Sequence, residues 1–184
     1  MSAQRPEPVP SVAAVVLNWN GTEDTLECLP RLALVDYPGH EVIVVDNGAD
    51  PSPQRKLLER FPSVSYVGTG RNLGHAAGNK VGTQYALSAG HEYVFVLNND
   101  RVVERAVLRE AVAVAASGPA IAVVAVEIIG WDDPACAWVA YGQVTYRRGR
   151  AGQGHLESAW HARCATPAST GAGKDRTRHR QGRR

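Results

Sequence analysis

Tyr93-Val94-Phe95-Val96-Leu97-Asn98-Asn99-Asp100-Arg101-Val102-Val103-Glu104 is the stretch on which the fold turns. Its first five residues are an unbroken apolar run, the pattern of a strand buried on both faces. The run stops at Asn98-Asn99-Asp100, and apolar residues at helical spacing follow from about Glu104. In an open α/β sheet, ligands sit beyond the carboxyl ends of the strands. A polar triplet ending in a carboxylate at that place suits a hard cation and the phosphates it carries. The plainer reading is that Asp100 shapes a turn or caps a helix, since Asn and Asp do both.

The same strand–polar loop–helix unit recurs upstream. Residues 12–17 are an apolar strand followed by Asn18-Trp19-Asn20-Gly21. Thr22 can cap the next helix, with Glu23 and Asp24 favourably placed in its first turn; Pro30 should kink or shorten it. Residues 41–45 form a second strand ending in Asp46-Asn47-Gly48. Pro51 or Pro53 opens a second helix with Leu57, Leu58 and Phe61 inward, and residues 63–67 form a short third strand. A glycine-rich loop, Gly68 to Gly74, leads into a third helix carrying Ala77, Val81 and Tyr85 at helical spacing. The helix after Asp100, residues 104–116, should bury Leu108, Ala111, Val112 and Ala115, and Gly118-Pro119 ends it. Residues 121–129 read as a fifth strand. Strands alternating with helices through short loops predict a mostly parallel, Rossmann-like α/β sheet flanked by helices on both faces.

The chain has 184 residues, enough for one domain with a core, and its 44% hydrophobic and 21% charged content fits a soluble globular class. Cys28, Cys136 and Cys164 are far apart in sequence without a Cys-x-x-Cys, against a disulfide framework or zinc site and consistent with a reducing compartment. No apolar run approaches a membrane span, so a cytoplasmic location is expected, with peripheral attachment at the inner membrane face as its variant. The net charge of +2 conceals an asymmetry: residues 1–146 hold 10 Lys/Arg and 16 Asp/Glu, residues 147–184 hold 10 and 2. The second segment has one Leu and no Val, Ile, Phe, Met or Tyr, so it is expected to be a disordered basic tail after a domain of residues 1–146. Its basic run reads as solvated rather than as a nucleic-acid arm.

Three polar clusters therefore follow three strands and can converge on one sheet edge. The glycine-rich loop adds a helix N-terminus, which suits phosphate, and Arg71 can add a bidentate contact. Together they outline a nucleoside-diphosphate site. A dinucleotide-binding fold is the rival: Gly68, Gly70 and Gly74 lie one residue off the fingerprint, and Glu92 stands near the place of a ribose-binding acid. The loop follows the third strand, however, whereas the fingerprint belongs to the first. Trp19 reads as packing or as a base-stacking ring, His75 as a helix-start side chain or a base.

Residues 15–21 (Val-Val-Leu-Asn-Trp-Asn-Gly), 41–48 (Glu-Val-Ile-Val-Val-Asp-Asn-Gly), 71–79 (Arg-Asn-Leu-Gly-His-Ala-Ala-Gly-Asn) and 97–100 (Leu-Asn-Asn-Asp) resemble, in order and spacing, the family 2 glycosyltransferases, specifically their rhamnosyltransferase-like branch. The resemblance implies a GT-A fold and a nucleotide-sugar donor, UDP- or dTDP-linked, with transfer to a glycan or lipid-linked acceptor hydroxyl in cell-wall or polysaccharide biosynthesis. It implies that Asp46 contacts base or ribose, that Asn18 and Asn20 flank the base, and that Arg71, Asn72 and Gly74 lie near the diphosphate. Asn98 stands where the family usually has the first Asp of its metal motif, and Asp100 is the motif's metal ligand, for Mg²⁺ or Mn²⁺. The family's acidic Glu-Asp motif and later histidine have no counterpart, so the chain reads as a donor half without its acceptor and base half, with little transfer expected. A non-catalytic nucleotide-sugar binding module and an unstable fragment are the other readings.

Overall fold

The computed structural model describes residues 9–126, 128–129, 136–148 and 154–164, with side-chain environments for 9–126. It divides into two compact units at Val124/Ala125. The first holds β1 (Val12–Asn18), α1 (Thr22–Leu32), β2 (His40–Asp46), α2 (Gln54–Arg60), β3 (Ser65–Gly68), α3 (His75–Ser88), β4 (Tyr93–Asn98) and α4 (Val107–Ala116). Its four strands are parallel in the order β3-β2-β1-β4. Every residue of β1 is buried, as its all-apolar sequence requires of a central strand.

Successive strand residues point to opposite faces. Val12, Ala14, Val16 and Val44 meet Leu26, Leu29 and Leu32 of α1, Leu57 of α2 and Leu108 of α4 in one core. Ala13, Val15, Leu17, Ile43 and Val45 form the other, with Ala86 of α3. Here the helix packs by smallness. Its buried residues are Gly78, Asn79, Gly82 and Ala86, not its apolar row Ala77, Val81 and Tyr85. A Cβ on Gly82 would lie 2.4 Å from Val15 Cγ1 and 2.7 Å from Val45 Cγ2; one on Gly78 would lie 2.6 Å from Leu17 Cδ1. The glycines let α3 sit that close to the sheet.

Other expectations change in detail. The Tyr93 run makes a terminal strand of this sheet rather than a central one, leaving Val96 46% exposed; an apolar run by itself does not distinguish the two positions. Thr22 is the first residue of α1 and Gly21 its cap, without a side-chain capping bond. The helix passes through Pro30 and ends two residues later. Of the four residues assigned inward on α4, only Leu108 is fully buried, and the helix starts at Val107. No fifth parallel strand runs through 121–126; the described strand there is the two-residue β5 (Ile128–Ile129).

β5 belongs to the second unit, where it pairs antiparallel with β6 (Cys136–Arg148), and β6 pairs with β7 (Gly154–Cys164). β7 falls within the stretch whose composition predicts a disordered tail. Its register sets Cys164 opposite Cys136. Residues 149–153 and 165–184 of that stretch, the turn at 131–134 and the first eight residues lie outside the described residues.

Candidate functional site

The chain runs outward from β1 through β2 to β3, then returns across the other face by α3 to place β4 on the far side of β1. The winding reverses between β1 and β4, and a crevice opens at such a reversal beyond the strand ends. Register aligns those ends: Asn18 pairs with Asp46, Asp46 with Gly68, and Leu17 with Asn98. A cavity of about 380 Å³ lies there, lined by Leu17, Trp19, Asn47, Asn72, Gly74, His75, Asn98, Asn99 and Asp100.

Strand parity assigns the polar residues to different work. Leu17, Asn47 and Asn98 continue the face that carries α3, and all three line the cavity. Asn18, Asp46 and Asn99 continue the opposite face and act largely as brackets. Asn99 Nδ2 donates to Gly21 O at 2.9 Å and to Thr25 Oγ1 at 3.0 Å, pinning the end of β4 to the start of α1. The Thr25 hydroxyl lies 3.1 Å from Asn18 Oδ1 and 3.0 Å from Gly21 O. Asn18 is fully buried in this knot, with its Nδ2 unpartnered among the described residues.

Asp46 is 5% exposed. Its Oδ1 accepts the Ala49 N–H at 2.8 Å, and its Oδ2 accepts the hydroxyls of Tyr66 and, at 3.3 Å, Ser52. Burial, then the bond given to Asp46, pushes the Tyr66 phenol up to about 12. Asn20 uses its side chain to accept the Asp50 N–H at 3.2 Å, and Arg71 is exposed at the margin. Of the eight residues expected at the site, Asn72, Gly74, Asn98 and Asp100 line the cavity; Asn18 and Asp46 are buried and Asn20 and Arg71 exposed, all four outside its lining.

Asn47 is the lining residue that motif reading passed over in favour of its neighbour Asp46. It is 2% exposed. Its Nδ2 donates to Asn72 Oδ1 at 3.0 Å and Gly74 O at 3.3 Å, and its Oδ1 accepts the Leu73 N–H at 3.0 Å. Asn72 Oδ1 also accepts the Gly74 N–H at 2.7 Å. The glycine-rich loop is thus bolted to the end of β2. Gly48, at φ +76°, makes the approach possible: a Cβ there would lie 2.3 Å from the Arg71 carbonyl carbon. Parity with Ile43 and Val45 is the signal that would have found Asn47.

The loop delivers the N-terminus of α3 to the cavity, and no side chain caps it. Free N–H groups and the positive dipole end therefore remain for an anion. Trp19 is 56% exposed on the cavity wall. His75, first residue of α3, places Nε2 3.0 Å from Asn98 Oδ1. The Asp100 side chain is 55% exposed, with Oδ1 3.3 Å from Arg101 Nε. Below, burial and then the Asp100 charge push the Cys28 thiol up to about 11, which keeps it protonated and inert. Among the described residues no three of His, Cys, Asp and Glu cluster as a metal-binding group. A carboxylate oxygen of Asp100 and the amide oxygen of Asn98 are nevertheless hard donors that fit Mg²⁺ or Mn²⁺.

A parallel α/β sheet with a cavity at its winding reversal, lined by asparagines, a histidine and a carboxylate, has the arrangement in which open α/β sheets bind ligands. The family model "Glycosyl transferase family 2" matches residues 13–168, and the chain belongs to that family of transferases. It is similar to galactofuranosyltransferase GlfT1 of Mycobacterium tuberculosis, 30% identical over 126 residues, covering 67% of this chain and 41% of the relative. Low-salt glycan biosynthesis hexosyltransferase Agl10 of Haloferax volcanii is 28% identical over 100 residues, 54% of this chain and 31% of the relative. Among solved structures, mannosyltransferase PcManGT from Pyrobaculum calidifontis, in complex with GDP-Man and Mn²⁺, superposes with a TM-score of 0.53 at 26% identity, covering 64% of this chain and 35% of that one. S. aureus TarS in complex with UDP-GlcNAc shares the fold, with a TM-score of 0.50 at 21% identity over 58% of this chain and 31% of that one. The chain spans less than half the length of these curated relatives. Among the described residues no helix is long and apolar enough to cross a membrane.

Proposed function

We propose that the first unit is the donor-binding half of a metal-assisted, inverting glycosyltransferase that takes a nucleoside-diphosphate sugar, UDP- or dTDP-linked. The acceptor is a hydroxyl of a glycan or lipid-linked saccharide. The observation that carries this reading is the single cavity where an exposed indole, an uncapped helix N-terminus and one carboxylate converge. Trp19 is the platform for the base. A base imide or ribose hydroxyl reaching Asp46 is accepted by Oδ1, which takes only the Ala49 N–H, since Oδ2 already accepts the hydroxyls of Tyr66 and Ser52. The α3 N-terminus, with Asn72 and Gly74, receives the diphosphate, and Arg71 closes over it from the margin.

Asp100 and Asn98 hold the divalent ion, which when bound offsets negative charge on the leaving diphosphate. Asn98 supplies no charge, so the site binds the ion more weakly than two carboxylates would. No second carboxylate lines the cavity among its described walls, so the 184-residue chain should bind donor far better than it transfers sugar.

Calorimetric titration of UDP and dTDP, with and without Mn²⁺, tests the reading on wild type and Asp100→Ala. Manganese-dependent binding that Asp100→Ala removes is expected. A folded chain that binds neither nucleotide overturns it.

A further inference from the structure

Tyr66 and Ser52 lie outside all four stretches that carry the family resemblance, yet both converge on Asp46. The residue directly across the ladder from Asp46 is Gly68, and Tyr66 pairs with Val44, so Tyr66 and Asp46 share one face of the sheet. Gly68 has no side chain, and the phenol reaches past it along that face: a Cβ on Gly68 would lie 3.9 Å from Tyr66 Cε1. Tyr66 Oη donates to Asp46 Oδ2 at 2.5 Å, the length of a charge-assisted O–H···O⁻ bond. Ser52 Oγ stands 3.3 Å from the same oxygen and 3.1 Å from Tyr66 Oη, so its one proton backs either partner.

We propose that Tyr66 is a positioning residue for nucleoside recognition: by anchoring Oδ2 of Asp46, with Ser52 behind it, Tyr66 holds Oδ1 in the direction from which a base N–H or ribose O–H of the donor is accepted. The inference rests on the donor-site reading above, in which Asp46 meets the nucleoside. The χ2 torsion of an aspartate is soft, so a carboxylate keeps one orientation only if its oxygens are tied down. Ala49 N–H ties Oδ1 at 2.8 Å, and the Tyr66 hydroxyl ties Oδ2. Without Tyr66 the second tie is the longer bond from Ser52, and the carboxylate is free to turn.

The phenol suits this task. Burial, and then the bond to Asp46, push it up to about 12, so it stays protonated and remains a donor at neutral pH. An oxygen already held in place spares the ligand the cost of ordering it on binding. The gain is confined to one end of the ligand. An ionised carboxylate only accepts, so the contact favours a nucleoside that presents a donor, the imide N–H of uracil or thymine or a ribose hydroxyl. Tyr66 acts through that contact alone and has no part in holding the diphosphate at the N-terminus of α3.

The test titrates the 184-residue chain, with Mn²⁺ present, against UDP, N3-methyl-UDP, 2′,3′-dideoxy-UDP and inorganic pyrophosphate. Tyr66→Phe keeps the ring and removes the hydroxyl. UDP affinity should fall about tenfold in that variant, the lower end of what a hydrogen bond to a charged group is worth, while pyrophosphate binds as it does to the wild type. The analogue lacking the group that Oδ1 accepts should bind wild type and Tyr66→Phe equally, because two losses through one contact do not add. Ser52→Ala should repeat the pattern with a smaller loss. A parallel fall for UDP, both analogues and pyrophosphate would make Tyr66 a packing residue and overturn the inference, as would unchanged UDP affinity. Either of those results leaves the donor-site reading standing, since the wild type binds UDP in both. A wild-type chain that binds no UDP overturns the two together.

Discussion

The two faces of the parallel sheet are built by opposite means. One is filled by large aliphatics: Leu26, Leu29 and Leu32 from α1, Leu57 from α2 and Leu108 from α4. The other is closed by α3, which brings small residues, Gly78, Gly82 and Ala86, against the apolar side chains of β1 and β2. The first face gains its stability from buried area. The second gains proximity, bringing the N-terminus of α3 down to the level of the strand ends, where Gly74 and His75 join the cavity wall. The bulky face supports the fold and the small-residue face positions the site.

If that division holds, a cavity on the bulky face should cost the most. Leu57 is fully buried, and Leu57→Ala removes its contacts with a core that can collapse only in part. A loss of about 2–5 kcal/mol in urea-unfolding stability is expected, with nucleotide affinity unchanged in the molecules that remain folded. On the other face the sensitive change is an addition. Gly82→Val places atoms inside contact distance of Val15 and Val45, both themselves fully buried. About 2–3 kcal/mol is expected from overpacking. Unlike Leu57→Ala, it should also weaken UDP binding, because the helix that carries His75 is lifted. Equal effects of the two variants on binding would dissolve the contrast.

This asymmetry also explains what could be read from the sequence. The α/β class, the strand ends and the glycine-rich loop followed from apolar runs broken by polar triplets. Leu57 and Leu108 followed from helical spacing, because large apolar residues announce a buried face. α3 lies where the sequence places a helix, but its apolar row does not mark its buried face. Ala77, Val81 and Tyr85 are its apolar row, but the buried row is one residue on, and glycine carries no hydrophobic signal. Within the site, the motif residues carrying charge drew attention to Asp46, while the neighbouring Asn47 reaches the cavity. Alternation along β2 separates the two, and it continues one residue past the strand. The step after α4 failed for another reason: residues 121–126 are apolar enough for a strand but take no partner in the parallel sheet.

Asn47 sharpens the contrast at its polar end, where the α3 face meets the loop. Asn47→Ala removes three hydrogen bonds between 3.0 and 3.3 Å and strands the Leu73 N–H. About 1–2 kcal/mol of stability should be lost. The larger consequence is kinetic: the loop from Arg71 to Gly74 loses its anchor, so UDP should dissociate faster, with a smaller change in its association rate. Stopped-flow binding separates the two rates. A variant that loses stability but keeps the wild-type dissociation rate would show that the loop is positioned by Gly48 and its own backbone.

The opposite end of the same face supplies the smallest and most specific effect. Glu41 precedes Ile43 on the α3 side of β2; its Oε1 accepts the Ser65 hydroxyl and its Oε2 lies 2.8 Å from His91 Nε2, just beyond α3. The Ser65 hydrogen bond, and then His91 against the opposing effect of burial, hold the Glu41 carboxyl below its ordinary value of 4.5. A carboxyl that is more acidic in the folded chain than in the unfolded one favours folding above its unfolded value, and the benefit fades as pH falls through the lower folded value. Stability should therefore decline as the pH drops below about 4.5, and Glu41→Gln should flatten that part of the decline. The side chain keeps 32% of its exposure, so solvent screening limits the effect to under about 1 kcal/mol. Because the clasp ties β2, β3 and the end of α3 together without touching the bulky core, the acid sensitivity should be read in hydrogen exchange of α3 amides before those of α1. Simultaneous loss of protection in both helices would mean that α3 has no separate hold on the sheet and that the two faces open as one.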